Sequence, residues 1–206
     1  MAIVTISRMF GSGGSQVAKR VADTLGWDLL DDAVVDAIAE RLGLTRAEVS
    51  AREERVPSLV ERVAAALTLS VPEMLPVADG TLPLTEERIV AVTKAVIEET
   101  VQKGHAVLVG RGAQSLLANR PDALHVFCYA PRAALAAFVM TDRGVSHEEA
   151  LRLVDETNRQ RERYVRQHWH REWRAAESYD LCVNTGTLGI EGAARLVIEL
   201  ARDRFG

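Results

Sequence analysis

Five short apolar runs, each set among stretches of helical periodicity, constrain what this chain can fold into more than any other feature. They are residues 2–7 (AIVTIS), 27–30, 106–109 (AVLV), 124–129 (LHVFCY) and 179–183 (YDLCV). Runs this short, ended by glycine, proline or acidic residues, read as buried strands rather than helices. Between them the period lengthens. From Ser15, the residues Val17, Val21, Ala22 and Leu25 recur at helical spacing until Gly26. Further helical patterns cover 33–42, 57–69, 86–102, 114–118, 132–141 and 190–204, and a long polar helix starts near Ser146 with Glu149 at its capping-box position. Strands alternating with helices make an α/β chain with a five-stranded, mostly parallel sheet covered on both faces. Ligands of such sheets sit at the carboxyl ends of the strands, here after residues 7, 30, 110, 129 and 184.

Composition narrows the class without naming a function. The 206 residues, 48% apolar and 26% charged, fit one globular domain. No window approaches the roughly 18 apolar residues of a membrane span, and Met1 runs into an apolar stretch without a basic leader, so a cytoplasmic protein off the membrane is expected. A net charge of −4 argues against a nucleic-acid coat. Cys128 and Cys182 both fall in expected strands and read as buried free thiols. Of 25 basic residues only Lys19, Lys94 and Lys103 are lysines. Codon bias accounts for such a ratio by default, yet arginine and lysine differ at phosphate sites, so position matters.

The first strand runs into Ser7-Arg8-Met9-Phe10-Gly11-Ser12-Gly13-Gly14-Ser15 and then a helix. Glycines at such a junction let backbone N–H groups curl inward, and the helix N-terminus adds its positive end, forming an anion cradle. Against the phosphate-loop pattern G-x-x-x-x-G-K-[ST], Gly14 stands in the lysine slot, Arg8 in the slot of the first glycine, and Ser15 keeps the hydroxyl that would ligate Mg²⁺. Lys19, more than a turn further on, is a poor substitute. Two other readings compete. The loop is a plain glycine turn, or it opens a dinucleotide fingerprint with Gly11 and Gly13, in which Asp31 would be the ribose-binding acid and Gln16 replaces the third glycine.

Other clusters fall at the same edge. Gly110-Arg111-Gly112 follows the 106–109 strand, where an arginine freed by small neighbours can pin a phosphate bidentately. Residues 152–174 carry seven arginines against four acids, a local balance of +3 in an acidic chain. A solvated helix face explains such a run; so does an arginine helix that closes over transferring phosphates. Val165, Trp169 and Trp173 give it a narrow apolar stripe. Asp31 and Asp32 bind sugar hydroxyls or metal, or cap the helix that follows.

VTISRMFGSGG at the N-terminus, VLVGRG, TNRQRERYV and YDLCVNTGTLGIEGA together resemble the cytidylate kinase-like proteins, a branch of the nucleoside monophosphate kinases, over nearly the whole chain. The resemblance implies a P-loop NTPase-type three-layer α/β/α fold. Its core would be residues 1–30, 86–145 and 178–206, with a helical acceptor-binding insert over about 31–85 and an arginine-rich lid over about 146–177. It implies ATP as donor, Mg²⁺, and a cytidine or related monophosphate as acceptor. Gly11, Ser12, Gly13, Gly14 and Ser15 would hold the ATP phosphates. Arg111 would meet the acceptor phosphate, and Arg159, Arg161 and Arg163 would serve as lid arginines. The chain departs from the family's pattern in the absent lysine, in Gly112 where an aspartate follows the arginine, and in Asn158 where the lid carries an aspartate.

The leading expectation is therefore an ATP-dependent kinase of a small acceptor such as CMP or dCMP, with Arg8 in part replacing the lysine and the arginine that substitutes for it left open by the sequence. A non-catalytic nucleotide sensor is second, and a Rossmann-type oxidoreductase third. The apolar helix 57–69 is either a core element of the insert or a homodimer surface.

Overall fold

The computed structural model describes residues 1–31 and 86–206. Expectations that fall on 32–85 lie outside the described residues: nearly all of the helical insert, Asp32, and the apolar helix 57–69.

The central strand β1 (Ile3–Arg8) is buried along almost its whole length and pairs in parallel with β3 (Ala106–Val109) on one side and β4 (Ala123–Tyr129) on the other. Strand β2 (Asp28–Leu30) joins the outer edge of β3, and β5 (Leu181–Asn184) the outer edge of β4, again in parallel. The sheet order is β2-β3-β1-β4-β5. Ile3, Val4 and Ile6 show no exposure because the sheet is covered on both sides, which is why its strands read as unbroken apolar runs and not as alternation.

On one face, helices α1 (Gly14–Leu25) and α6 (Thr185–Phe205) pack Val17, Val21, Ala193 and Val197 onto Val4, Ile6, Val107 and Leu124. On the other, α2 (Glu86–Lys103) sets Ile89, Val96, Ile97 and Val101 against Ile3, Ala106 and Leu108, helped by the short α3 (Ala113–Leu116). These are the three layers. Helix α4 (Arg132–Arg143) and the long α5 (His147–Trp169) form a separate apolar contact of Leu135, Ala136 and Val139 with Ala150 and Val154.

Helix boundaries follow local chemistry. Gly26 and Gly144, both at positive φ, close α1 and α4, and the Ser146 hydroxyl accepts the Glu149 N–H to open α5. The reciprocal half of that capping box is not made; both Glu149 oxygens accept from Arg152. Three details differ from the sequence expectation. Strand β5 starts at Leu181, because the 3₁₀ turn Ala176–Ser178 turns Tyr179 toward the cleft. Helix α6 begins at Thr185 but breaks at Gly189 (φ 67°, ψ 175°), so its regular part is the expected helix from residue 190. Cys128 is buried, whereas Cys182 is exposed on β5, which pairs with β4 alone among the described residues; both are free thiols.

Candidate active site

The glycine loop leaves the carboxyl end of β1 and enters α1. Gly11 (φ 80°) and Gly13 (φ 69°) supply the left-handed backbone that the turn requires. Their missing side chains also matter for packing. A Cβ on Gly11 would stand 2.6 Å from the Leu135 carbonyl oxygen, and one on Gly13 3.0 Å from Ile190 Cγ1. The loop is thus wedged between α4 and α6. Ser12 is buried, its hydroxyl donating to the Met9 carbonyl at 2.7 Å, and Ser15 is half-buried in the first turn of α1.

Gly14 has a different neighbour. A Cβ there would overlap Cβ of Arg8 and lie 2.9 Å from its Cγ. The stem of Arg8 crosses the slot from which a phosphate-loop lysine would project. Its guanidinium continues to the end of β3, where a Cβ on Gly110 would overlap Nη1 and stand 3.1 Å from Cζ. Asp31, at the end of β2, accepts from Arg8 Nη2 at 3.4 Å, both side chains being about four-fifths buried.

The corner after β3 is held at positive φ through three successive residues, Gly110 (69°), Arg111 (52°) and Gly112 (72°). The Ala113 N–H donates to the Gly110 carbonyl at 2.9 Å, which makes the corner a primed β-turn with Arg111 and Gly112 at its centre. A Cβ on Gly112 would overlap the Trp169 indole. The C-terminal end of α5 therefore seats on this corner. Earlier along α5, Asn158, only 2% exposed, accepts the Phe10 N–H at 2.8 Å, and Arg161 Nη1 donates to the Arg8 carbonyl at 2.8 Å. The Phe10 ring lies under the guanidinium carbons of Arg143 (4.8 Å) and Arg161 (5.8 Å). Helix α5 spans from the glycine loop to the β3 corner.

A pocket lies beneath it, lined by Arg8, Arg111 and Arg161 together with Ser7, Tyr164, Trp173 and Tyr179. Its apolar side is an aromatic cluster: Phe127 of β4 meets Trp173 edge-on at 5.5 Å and Tyr179 at 5.0 Å. The Tyr179 hydroxyl donates to the Trp173 carbonyl at 2.7 Å, and burial pushes its pKa up to about 12, against the pull of the Ser7 hydroxyl beside it. Tyr179 is neutral at any physiological pH.

The structure thus brings Arg8, Arg111, Arg161 and Asp31 together and leaves Arg159 and Arg163 apart, exposed on the outer face of α5. Residues two apart on a helix point in nearly opposite directions, so all three cannot face one cleft. Arg152 pairs with Glu149 and Glu156, and Arg166 with Glu162 and Glu172; that part of the arginine run is a solvated face. Lys19 pairs with Asp23 at 2.9 Å on the outside of α1, and Asp155 with Arg132 at 2.5 Å. The apolar stripe is real but shared. Val165 and Trp169 belong to α5, and Trp173 joins them from beyond its end, after His170 turns left-handed. Trp173, Tyr179 and Gln114, whose amide donates to the Ser178 carbonyl at 2.7 Å, also line the pocket; the spacing that sets Trp173 in an apolar stripe does not mark any of the three as a site residue. No group of three or more potential metal-ligating His, Cys, Asp or Glu side chains occurs among the described residues.

A glycine loop after the central strand of a parallel β2-β3-β1-β4-β5 sheet defines an α/β fold of the P-loop kinase type. The dinucleotide-binding order, 3-2-1-4-5-6, differs at the first two strands. Solved structures agree on the fold. An uncharacterized protein from Eubacterium ventriosum superposes with a TM-score of 0.69 at 21% identity, covering 98% of this chain and 99% of its own. Shikimate kinase from Bacteroides thetaiotaomicron gives 0.53 at 15% identity, with 98% of each chain covered. A gluconokinase from Sinorhizobium meliloti gives 0.51 at 14%, covering 99% of this chain and 95% of its own. The sequence profile of the cytidylate kinase-like family matches residues 3–187, and the chain belongs to that family. No curated protein matches it. No helix among the described residues is long and apolar enough to cross a membrane.

Proposed function

We propose that this protein transfers the terminal phosphoryl group of ATP to a small phosphorylated acceptor, a nucleoside monophosphate such as CMP or dCMP. The observation that carries the proposal is the convergence of Arg8, Arg111 and Arg161 from β1, the β3 corner and α5 into one pocket beside the glycine loop, with aromatic rings along one side. Guanidiniums converging from three elements on one pocket suit a multiply charged anion. Phosphoryl transfer asks little covalent chemistry of a protein; it needs positioning and spread of negative charge. In this reading the N-terminal turn of α1 and residues 11–15 hold the ATP phosphates. Arg111 holds the acceptor phosphate, and Arg161 reaches in from a lid over about 146–177 that Arg159 and Arg163 flank. The residues fit a nucleotide with Mg²⁺: the loop ends on a helix N-terminus and Ser15 offers a hydroxyl in its first turn. When bound, Mg²⁺ would neutralise charge between the donor phosphates, with Ser15 its protein ligand. The insert over about 31–85 would complete the acceptor site.

An ATP-coupled assay across the common nucleoside monophosphates tests this. Turnover above background is expected for at least one cytidine monophosphate. Calorimetric ATP binding without turnover of any acceptor would instead select a nucleotide sensor, the reading that the side-chain-free Gly14 favours.

A further inference from the structure

We infer that Arg8 carries the charge of the missing phosphate-loop lysine, and that Gly14 and Gly110 are the two positions whose lack of a side chain routes it to the bound phosphate chain. The inference rests on the proposed phosphate chemistry of the pocket and names the device that performs it. Four contacts define the route. The Arg8 stem fills the space next to Gly14 into which a lysine would have to project, with Cys128 Cβ on the far side at 3.4 Å from a Cβ at Gly14. The guanidinium then lies against Gly110, where any larger residue would meet Nη1 and would also have to adopt φ 69°. Asp31 turns one edge of the fork, and Arg161 fixes the backbone beneath it by donating to the Arg8 carbonyl. The head ends among the pocket residues beside Arg111, between the glycine loop and the β3 corner.

This arrangement moves the cation sideways without removing it. A lysine at position 14 would rise from the first turn of α1. Arg8 starts from β1, passes over that turn, and presents a planar donor set instead of a point charge. Asp31 acts here as a positioning residue for Arg8, which differs from the sugar-binding role that its place after β2 first indicated.

Calorimetric titration with inorganic pyrophosphate, a phosphate chain without a base, tests the inference independently of turnover. Arg8→Ala is expected to weaken binding about tenfold or more, the loss typical of a charge-assisted donor, and Arg8→Lys to weaken it less. Gly14→Ala, which displaces the Arg8 stem, should fall with Arg8→Ala. The double variant R8A/G14K returns a cation by the ordinary route and should bind within a few-fold of the parent protein, while G14K alone stays weak. Pyrophosphate binding by R8A equal to that of the parent would overturn the inference. So would a folded R8A/G14K no better than R8A, or a parent that binds no pyrophosphate. If the Gly14 variants fail to fold, the R8A and R8K titrations still decide. Arg8-dependent binding without turnover of any acceptor would sink the kinase proposal and leave this inference standing; turnover undiminished in R8A would do the reverse.

Discussion

Arg111 sits at φ 52°, a conformation that costs a residue with a side chain about 1 kcal/mol relative to glycine. The corner tolerates that strain at the one position whose guanidinium enters the pocket. Arg111→Gly is therefore expected to raise stability by about 0.5–1 kcal/mol in a denaturant titration while abolishing acceptor phosphorylation. A loss of both would show that Arg111 is structural. Gly112→Ala is the opposite case, because its Cβ would run into the Trp169 indole. It should destabilise by about 1–3 kcal/mol, read as a lowered denaturation midpoint, without removing any charged group. Arg8, Arg111 and the glycines were visible in the sequence because each follows a strand end, where α/β sheets place their ligands. Arg159 and Arg163 were grouped with Arg161 because nearness along the chain was all that linked them; the helical period separates them. Trp173 and Tyr179 show in the sequence only as part of an apolar stripe and of a strand, not as pocket residues. They enter the pocket only because the chain beyond α5 folds back against Phe127, a tertiary fact with no local signature.

Helix α5 is tied to the glycine loop by the buried Asn158 amide, with Arg161 donating to the Arg8 carbonyl beside it. Removing the Asn158 acceptor leaves the part-buried Phe10 N–H without its partner, at a cost of about 1 kcal/mol or more. Asn158→Ala should accelerate hydrogen exchange at the Phe10 amide and along residues 147–169 well before the sheet opens. Unchanged exchange there would mean that the α4 contact, the Arg161 hydrogen bond and the Trp169 corner seat the helix without it. Breaking the exposed Arg132–Asp155 pair should change little, since solvent already screens it. At this scale the sequence was legible wherever local chemistry decides: the Ser146 cap, the Gly26 and Gly144 stops, the apolar runs of β1, β3 and β4. It was less so at β5 and the start of α6, where the break at Gly189 and the turn before Tyr179 depend on what packs above them.

For the molecule as a whole, pH acts through what the sheet buries. His125 of β4 shares a 2.8 Å contact with Thr5, and burial lowers its pKa below the usual 6.5, against the pull of Asp180. The folded state keeps this imidazole neutral while the unfolded chain takes up a proton, so stability present above about pH 6.5 is lost as the pH falls. The melting temperature should decline between pH 7 and 5.5, and His125→Gln should flatten that decline. At the alkaline end, burial pushes both Cys128 and Tyr179 up to about 12. The unfolded chain releases those protons from their ordinary values of 9.0 and 10.0 upward, so stability should fall from about pH 9 toward 12. The overlap between Arg8 and position 14 reaches beyond energetics to history. A lysine introduced at 14 meets the Arg8 stem, and losing Arg8 first leaves the pocket a cation short. Each single step away from the present pair is thus worse than the pair itself, and only a joint change reaches the ordinary phosphate loop. If Arg8 carries the lysine's charge as inferred, the two positions form a ratchet in which only the joint exchange keeps a cation in the pocket.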